Sequence, residues 1–259
     1  ATGTLRRDRV TQLATERSSR QVPTQSEERV GLRLEYVFDN TLDVAINIKN
    51  GSRYKFYVEG VKKFDLSFTD GASLDFAQGA MGIVGFDARH YQRFLKHSVI
   101  ALRAAGATSF GSERMIYFLG GVDNWLFNSF NNEIPIPAAG NDIAFQALVT
   151  NMRGFDLNIR NGSSYLLSNI ELRVPIFKYF SNRVRSQFFR NFQLVGFFDV
   201  GTAWEGSNPY SEENPLNTSV VENSGLVSVK GNYFRDPIVA GYGGGVRAML
   251  FGYFVRLDY

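Results

Sequence analysis

The sequence predicts an all-β chain of antiparallel strands, and three observations predict it. Segment after segment alternates apolar and polar residues with a period of two, the pattern of a strand with one greasy face. The 259 residues include 23 Phe, 12 Tyr and 25 Gly; rings pack well on a pleated surface, and glycine serves bulges, bends and tight turns. Convincing helical periodicity is almost absent.

Residues 1–28 are polar with little periodicity, so they read as a loop or loosely ordered leader, within which TQLATERSSRQ could form a short helix. The β region is expected over residues 29–259. In VGLRLEYVF, Leu32, Leu34, Tyr36 and Phe38 share one side and Arg33 and Glu35 the other. SRYKFYVEG sets Tyr54, Phe56 and Val58 against Lys55, Tyr57 and Glu59, and GFDARHY sets Phe86 and Ala88 against Asp87 and Arg89. HSVIALRAAG sets Ile100 and Leu102 against Arg103. SNIELRVPIF sets Ile170, Leu172, Val174 and Ile176 against Asn169, Glu171 and Arg173. In FQLVGFFDVG, Phe192, Leu194, Phe198 and Val200 oppose Gln193 and Asp199, and IVAGYGGGVRAML and YFVRLDY complete about eight strands.

Composition narrows the function. Cysteine is absent and only His90 and His97 are present, so a disulfide scaffold is impossible and a zinc centre lacks its usual ligands. No cofactor motif is found. The net charge of +3 comes from 28 basic residues interleaved with 25 acids, a dispersed pattern that argues against nucleic acid. No run of eighteen apolar residues exists, which excludes a transmembrane helix but not a membrane barrel, whose strands need only about ten residues.

A soluble β-sandwich or jelly roll also alternates, with one face in a core and the other in water. Two features favour a barrel in a membrane. Several strands run to ten residues or more, where ordinary strands average about five or six. The links also alternate: those at 39–52, 92–97, 177–191 and 251–252 are mostly short, and those at 110–163 and 205–236 are long and polar. In that reading the charged residues face a wet lumen and the apolar faces meet lipid.

The longest link, 110–163, contains MIYFLGG, Trp125, NNEIPIPAAG and the stretch NMRGFDLNIRNG. Loops of this length are usually functional or disordered. Arg153 lies in it beside Gly154 and Phe155, and the strands that follow carry Glu171 and Asp199 on the lumen side. Arginine presents a planar fork of donors suited to two carboxylates. The blander reading is a solvated loop arginine. Glu171 and Asp199 could be taken for a general acid and base, but neither a nucleophile nor a triad context accompanies them, so an ion pair explains both and no enzyme is expected.

The ordered blocks LGG, MRGF, NIELRVPIF, FFDVGTAW and GYGGGVRAMLFGYFVRLDY resemble the C-terminal half of the BamA-like outer-membrane assembly barrels, the bacterial surface antigen family. The resemblance runs from about Val30 to Tyr259. It implies an antiparallel transmembrane β-barrel of about sixteen strands, of which this chain supplies about eight, the eighth to the fifteenth. It also implies an extracellular loop whose R-G-aromatic tip folds into the barrel, its arginine pairing with acids on the next two strands. Arg153, Gly154 and Phe155 match the tip, Glu171 the acid of the twelfth strand, and Asp199 with Gly201 the F-x-D-x-G of the thirteenth. Two departures stand out: Met152 replaces a small aliphatic residue, and about thirty residues separate LGG from the tip.

The resemblance implies an insertase or translocase that assists assembly or passage of proteins at the bacterial outer membrane. Its partners would be outer-membrane lipid, the rest of the barrel from the same polypeptide or another chain, and client or accessory outer-membrane proteins. The rival is a passive barrel, a porin or the anchor of a larger complex. The strand near Val30 and the strand ending at Tyr259 are both expected to pair with protein outside these 259 residues.

Overall fold

A computed structural model describes residues 1–10, 25–67, 73–75, 79–123, 127–137, 143–180, 185–223, 227–232 and 235–259. The chain is mostly antiparallel β-sheet. Its strands are β1 (Thr2–Val10), β2 (Gln25–Asp39), β3 (Leu42–Ala45), β4 (Ile48–Ser67), β5 (Ser73–Asp75), β6 (Ala80–Phe94), β7 (Ser98–Gly111), β8 (Arg114–Leu119), β9 (Ile143–Val149), β10 (Arg160–Gly162) and β11 (Ser164–Val174). Two five-residue helices follow, α1 (Ile176–Phe180) and α2 (Gln187–Asn191), then β12 (Gln193–Trp204), β13 (Thr218–Asn223), β14 (Val227–Asn232), β15 (Val239–Leu250) and β16 (Tyr253–Asp258). Among the described residues no helix is long and apolar enough to cross a membrane.

One large sheet runs in the order β1-β2-β4-β6-β7-β11-β12-β15-β16, with β3 and β5 as short additions to β4. Every neighbouring pair is antiparallel, a meander interrupted by long connections. The strands are long: β2 and β6 have 15 residues, β4 has 20, and β12 and β15 have 12, above the usual five or six. A three-stranded sheet, β10-β8-β9, is built inside the 110–163 connection, and β13 and β14 form a separate hairpin.

The pairing register sorts side chains into rows on the two faces. One row on the inner face is Tyr57, Gly85, Ala107, Tyr165 and Ala203, and the next is Asp87, Ala105, Leu167, Gly201 and Val239. Small residues dominate where the inserted segment lies against the sheet. Tyr117, Leu119, Val149 and Met152 from that segment form one apolar cluster with Ala107, Leu167, Ala203 and Val239. Close packing needs such alternation of large and small groups. The outer face is different. Leu32, Leu34, Phe56, Ile170, Leu172, Leu194, Phe198 and Leu257 are all exposed, so among the described residues no second sheet covers this face as a sandwich would require.

Three expectations need correction. Residues 2–10 and 25–28 are strand rather than loop, while the helix considered at TQLATERSSRQ lies outside the described residues. The segment TGTLRRDRV has no greasy face, and it becomes a strand because the free edge of β2 offers a full ladder of backbone hydrogen bonds from Thr2↔Arg33 to Val10↔Gln25. It follows that the Val30 strand pairs on this side with β1 of the same chain, not with outside protein. The principal sheet accordingly has nine strands along its path instead of eight.

Candidate functional site

The 112–163 connection folds back over the inner face, and two glycine turns shape its tip. Gly120 and Gly121 have φ of +136° and +68°, a region that favours glycine. A Cβ on Gly120 would lie 2.0 Å from the Asp156 carbonyl oxygen, so this turn can approach the tip only as glycine. The Gly121 N–H donates to the Phe155 carbonyl at 3.0 Å, and the Asn151 and Met152 N–H groups donate to the Gly121 carbonyl at 3.0 Å. The LGG and MRGF blocks are thus two halves of one hydrogen-bonded unit. Gly154, with φ of +85°, reverses the chain between Arg153 and Phe155.

Arg153 is 6% exposed. Its Nε and Nη2 donate to Asp199 Oδ2 and Oδ1, each at 2.7 Å, and its backbone N–H donates to Oδ2 at 3.2 Å. Nη1 donates to Glu171 Oε1 at 3.4 Å. The guanidinium carbon stands 3.8 Å above the Phe197 ring centroid, within cation–π range. Desolvation works against the charge, but the hydrogen bonds and Coulombic pull of Asp199 outweigh it and hold the Arg153 guanidinium above its ordinary pKa.

The register explains why the two acids converge. Arg103, Asn169, Asp199 and Gly241 form one inner row, and Ala101, Glu171, Phe197 and Gly243 form the next. Glu171 and Asp199 are therefore diagonal neighbours on adjacent strands, and one planar fork reaches both. The tip rests where β15 has no side chains. A Cβ on Gly241 would lie 2.8 Å from the Arg153 carbonyl oxygen and 3.1 Å from the Phe155 ring. Gly201 serves the same purpose one row away, where a Cβ would press on Leu119 at 3.2 Å.

Of the six residues singled out in the sequence, Arg153, Glu171 and Asp199 are in direct contact, Gly154 and Phe155 continue the tip, and Gly201 lies one row away against Leu119. Sequence reasoning missed several members. Arg247, 2% exposed, donates to Glu171 Oε1 at 3.2 Å and bonds Asp258, tying β15 and β16 to the cluster. Arg173 donates to Glu171 Oε2 at 2.8 Å, and Asn169 Nδ2 donates to Asp199 Oδ1 at 2.7 Å and to the Asn151 carbonyl at 2.6 Å. Arg247 follows Gly241, Gly243 and Gly245 at a spacing of two, so the strand period could have placed it on the inner face.

A second anchor had no sequence signal. Buried Arg29 of β2 donates through Nε and Nη2 to the two oxygens of Glu113, both at 3.2 Å, at the start of the inserted segment. Arg29 and Arg6 both lie over the ring of Phe145 in β9, at 5.1 and 4.6 Å. His90 makes a 2.7 Å hydrogen bond with Ser52 Oγ. Among the described residues no group of His, Cys, Asp and Glu is placed to hold a metal ion. The constellation has the chemistry of a fastener: paired charges and steric fit, with Arg173 Nε and Asn169 Oδ1 left as buried polar atoms without a hydrogen-bond partner. No family model matches the chain, and no curated protein matches it.

Proposed function

We propose that the chain is part of an outer-membrane β-barrel of the insertase or translocase type, assisting assembly or passage of proteins at the bacterial outer membrane. The observation that carries the reading is the fastening of a folded-in loop: an Arg-Gly-Phe tip on Asp199 and Glu171, seated against Gly241 of β15. A loop of this size held by two desolvated charge pairs is a feature that a simple pore wall does not need. The resemblance of the ordered sequence blocks to the BamA-like barrels supports the same reading. Long antiparallel strands with an exposed apolar outer face support a place in lipid, since strands of about ten residues suffice to span.

In this reading the barrel acts without covalent chemistry. Its work is to offer a local path by which client strands exchange water for lipid while their backbone groups stay hydrogen-bonded. The test is reconstitution of the full-length protein into phosphatidylcholine vesicles, followed by addition of an unfolded outer-membrane barrel client. Folding is read as protease-resistant client. Acceleration over protein-free vesicles, lost in Arg153→Ala, is expected. Solute flux without any acceleration of client folding would place the chain among passive barrels instead.

A further inference from the structure

The connection from β11 to β12, residues 175–192, contains four basic residues and no acid, and the end of β6 with the turn into β7, residues 92–97, also lacks an acid. The two connections meet at one end of the sheet. The Tyr179 hydroxyl of α1 accepts from the His97 N–H at 3.2 Å and hydrogen-bonds Ser98 Oγ at 2.7 Å, and the His97 and Tyr179 rings meet edge to face at 5.3 Å. Phe177 packs edge-on against Phe189 and Phe192, which fixes α1 against α2.

This contact gathers Arg93, Lys96, His97, Lys178 and Arg190. None of these basic side chains has a carboxylate partner among the described residues, although nearly every inner-face cation described above has one. They also depress one another. Burial and then the charges of Lys96, Lys178 and Arg93 lower the proton affinity of His97, and burial and then Arg190 lower that of Lys178. Beside them, Phe94, Leu95, Tyr179, Phe180 and Phe189 are exposed, Phe180 at 86%. Unpaired cations beside exposed aromatic rings match the chemistry of a bilayer interface, where rings sit at headgroup level and basic chains reach anionic lipid.

We propose that this end of the sheet is a binding site for the headgroups of anionic phospholipids. The proposal rests on the membrane reading above and adds a lipid class and a location to it. Charge complementarity selects the occupant: the cluster is uniformly basic, and the adjoining apolar chains suit an anion carried on acyl chains better than a soluble one.

The experiment uses the full-length protein in nanodiscs of phosphatidylcholine alone or with about one fifth phosphatidylglycerol, followed by detergent extraction and native mass spectrometry of retained lipid. Wild type is expected to retain phosphatidylglycerol in preference to phosphatidylcholine. The pair Lys178→Gln and Arg190→Gln should cut that retention roughly thirtyfold, in line with the contribution of two basic side chains near an anionic surface. Arg235→Gln, in the connection leading into β15 at the opposite end, should leave it unchanged. Equal retention of both lipids, or no effect of the pair, would overturn the headgroup site while leaving the barrel reading intact. Displacement by inorganic phosphate would show a soluble-anion site and overturn the proposal. Failure to enter either nanodisc would overturn the membrane reading and this site with it.

Discussion

Replacing Arg153 by alanine should release the inserted segment, and the geometry sets the size of the effect. Asp199, fully buried, accepts four hydrogen bonds: Nε, Nη2 and the backbone N–H of Arg153, and Nδ2 of Asn169. The substitution deletes the two short charge-assisted bonds, worth about 1.5–3 kcal/mol each. Glu171 keeps Arg173 and Arg247 and loses only the 3.4 Å contact, so the penalty concentrates on Asp199. Leaving one partner of a buried pair uncompensated costs about 3–5 kcal/mol. Lysine keeps the charge but not the fork, and should cost about 2–3 kcal/mol.

The assay is hydrogen exchange of the full-length protein in detergent micelles. It should follow the Gly121, Asn151 and Met152 amides, which bond only across the LGG and MRGF turns. At about 1.4 kcal/mol per tenfold, alanine should speed their exchange by roughly a hundred- to a few thousandfold. A double-mutant cycle of Arg153→Ala with Asp199→Ala should return a coupling of about 1.5 kcal/mol or more. Exchange at these amides within threefold of wild type in both single variants would refute the idea that this pair fastens the loop.

Gly241→Val should push the tip off β15, because its Cβ would meet the Arg153 carbonyl at 2.8 Å; overpacking of this kind costs about 1–3 kcal/mol, and unchanged exchange at Met152 would contradict it. Gly154→Val should cost about 1–2 kcal/mol through its φ of +85° alone, since open space surrounds a Cβ there, and Gly154→Asn should cost less; equal effects in a thermal melt would point to a steric cause instead. Leu172→Arg, on the exposed outer face, should destabilise the protein by about 2–4 kcal/mol in lipid vesicles if the site lies near the bilayer midplane. The same substitution leaving vesicle stability unaltered would argue for a water-facing surface.

The long strands were legible because each presents one apolar face to one environment. Leu32, Leu34 and Tyr36 carry a period-two signal whatever β2 pairs with. β1 was illegible for the converse reason: Arg6, Arg7, Asp8 and Arg9 mark neither face, and its order comes from backbone bonds to β2. The acids of the fastener were visible as inner-face positions, but their convergence depends on the register between β11 and β12, which no local pattern states. Met152 owes its place to packing. It is fully buried in the cluster between the inserted segment and the sheet, where a smaller side chain would leave space. The parallel pairing of β8 with β9 was hidden because a short apolar run such as MIYFL fits a strand or a buried helix equally well.

The nine strands along the principal sheet also constrain how it can close. Each neighbouring pair is antiparallel, so eight successive reversals leave β1 and β16 pointing the same way. Direct pairing of these two would be parallel, whereas single-chain bacterial barrels of this kind have even strand numbers and antiparallel closure throughout. Among the described residues, no strand pairs with the outer edge of either. In a bilayer each unpaired backbone group on such an edge costs several kcal/mol, so open edges do not persist there. The expectation that protein outside these residues completes the sheet therefore moves from β2 to β1 at one side and stays with β16 at the other. Under the proposed barrel reading, an odd number of further strands would give antiparallel closure, about seven if the total is about sixteen. Because the chain contains no cysteine, Leu5→Cys and Leu257→Cys can be introduced as the only thiols among these residues. A photo-crosslinker at either position in the full-length protein in its membrane should capture protein outside residues 1–259. Efficient disulfide formation between the two cysteines within one molecule would instead show that the sheet closes on itself, and would remove the argument for a larger barrel.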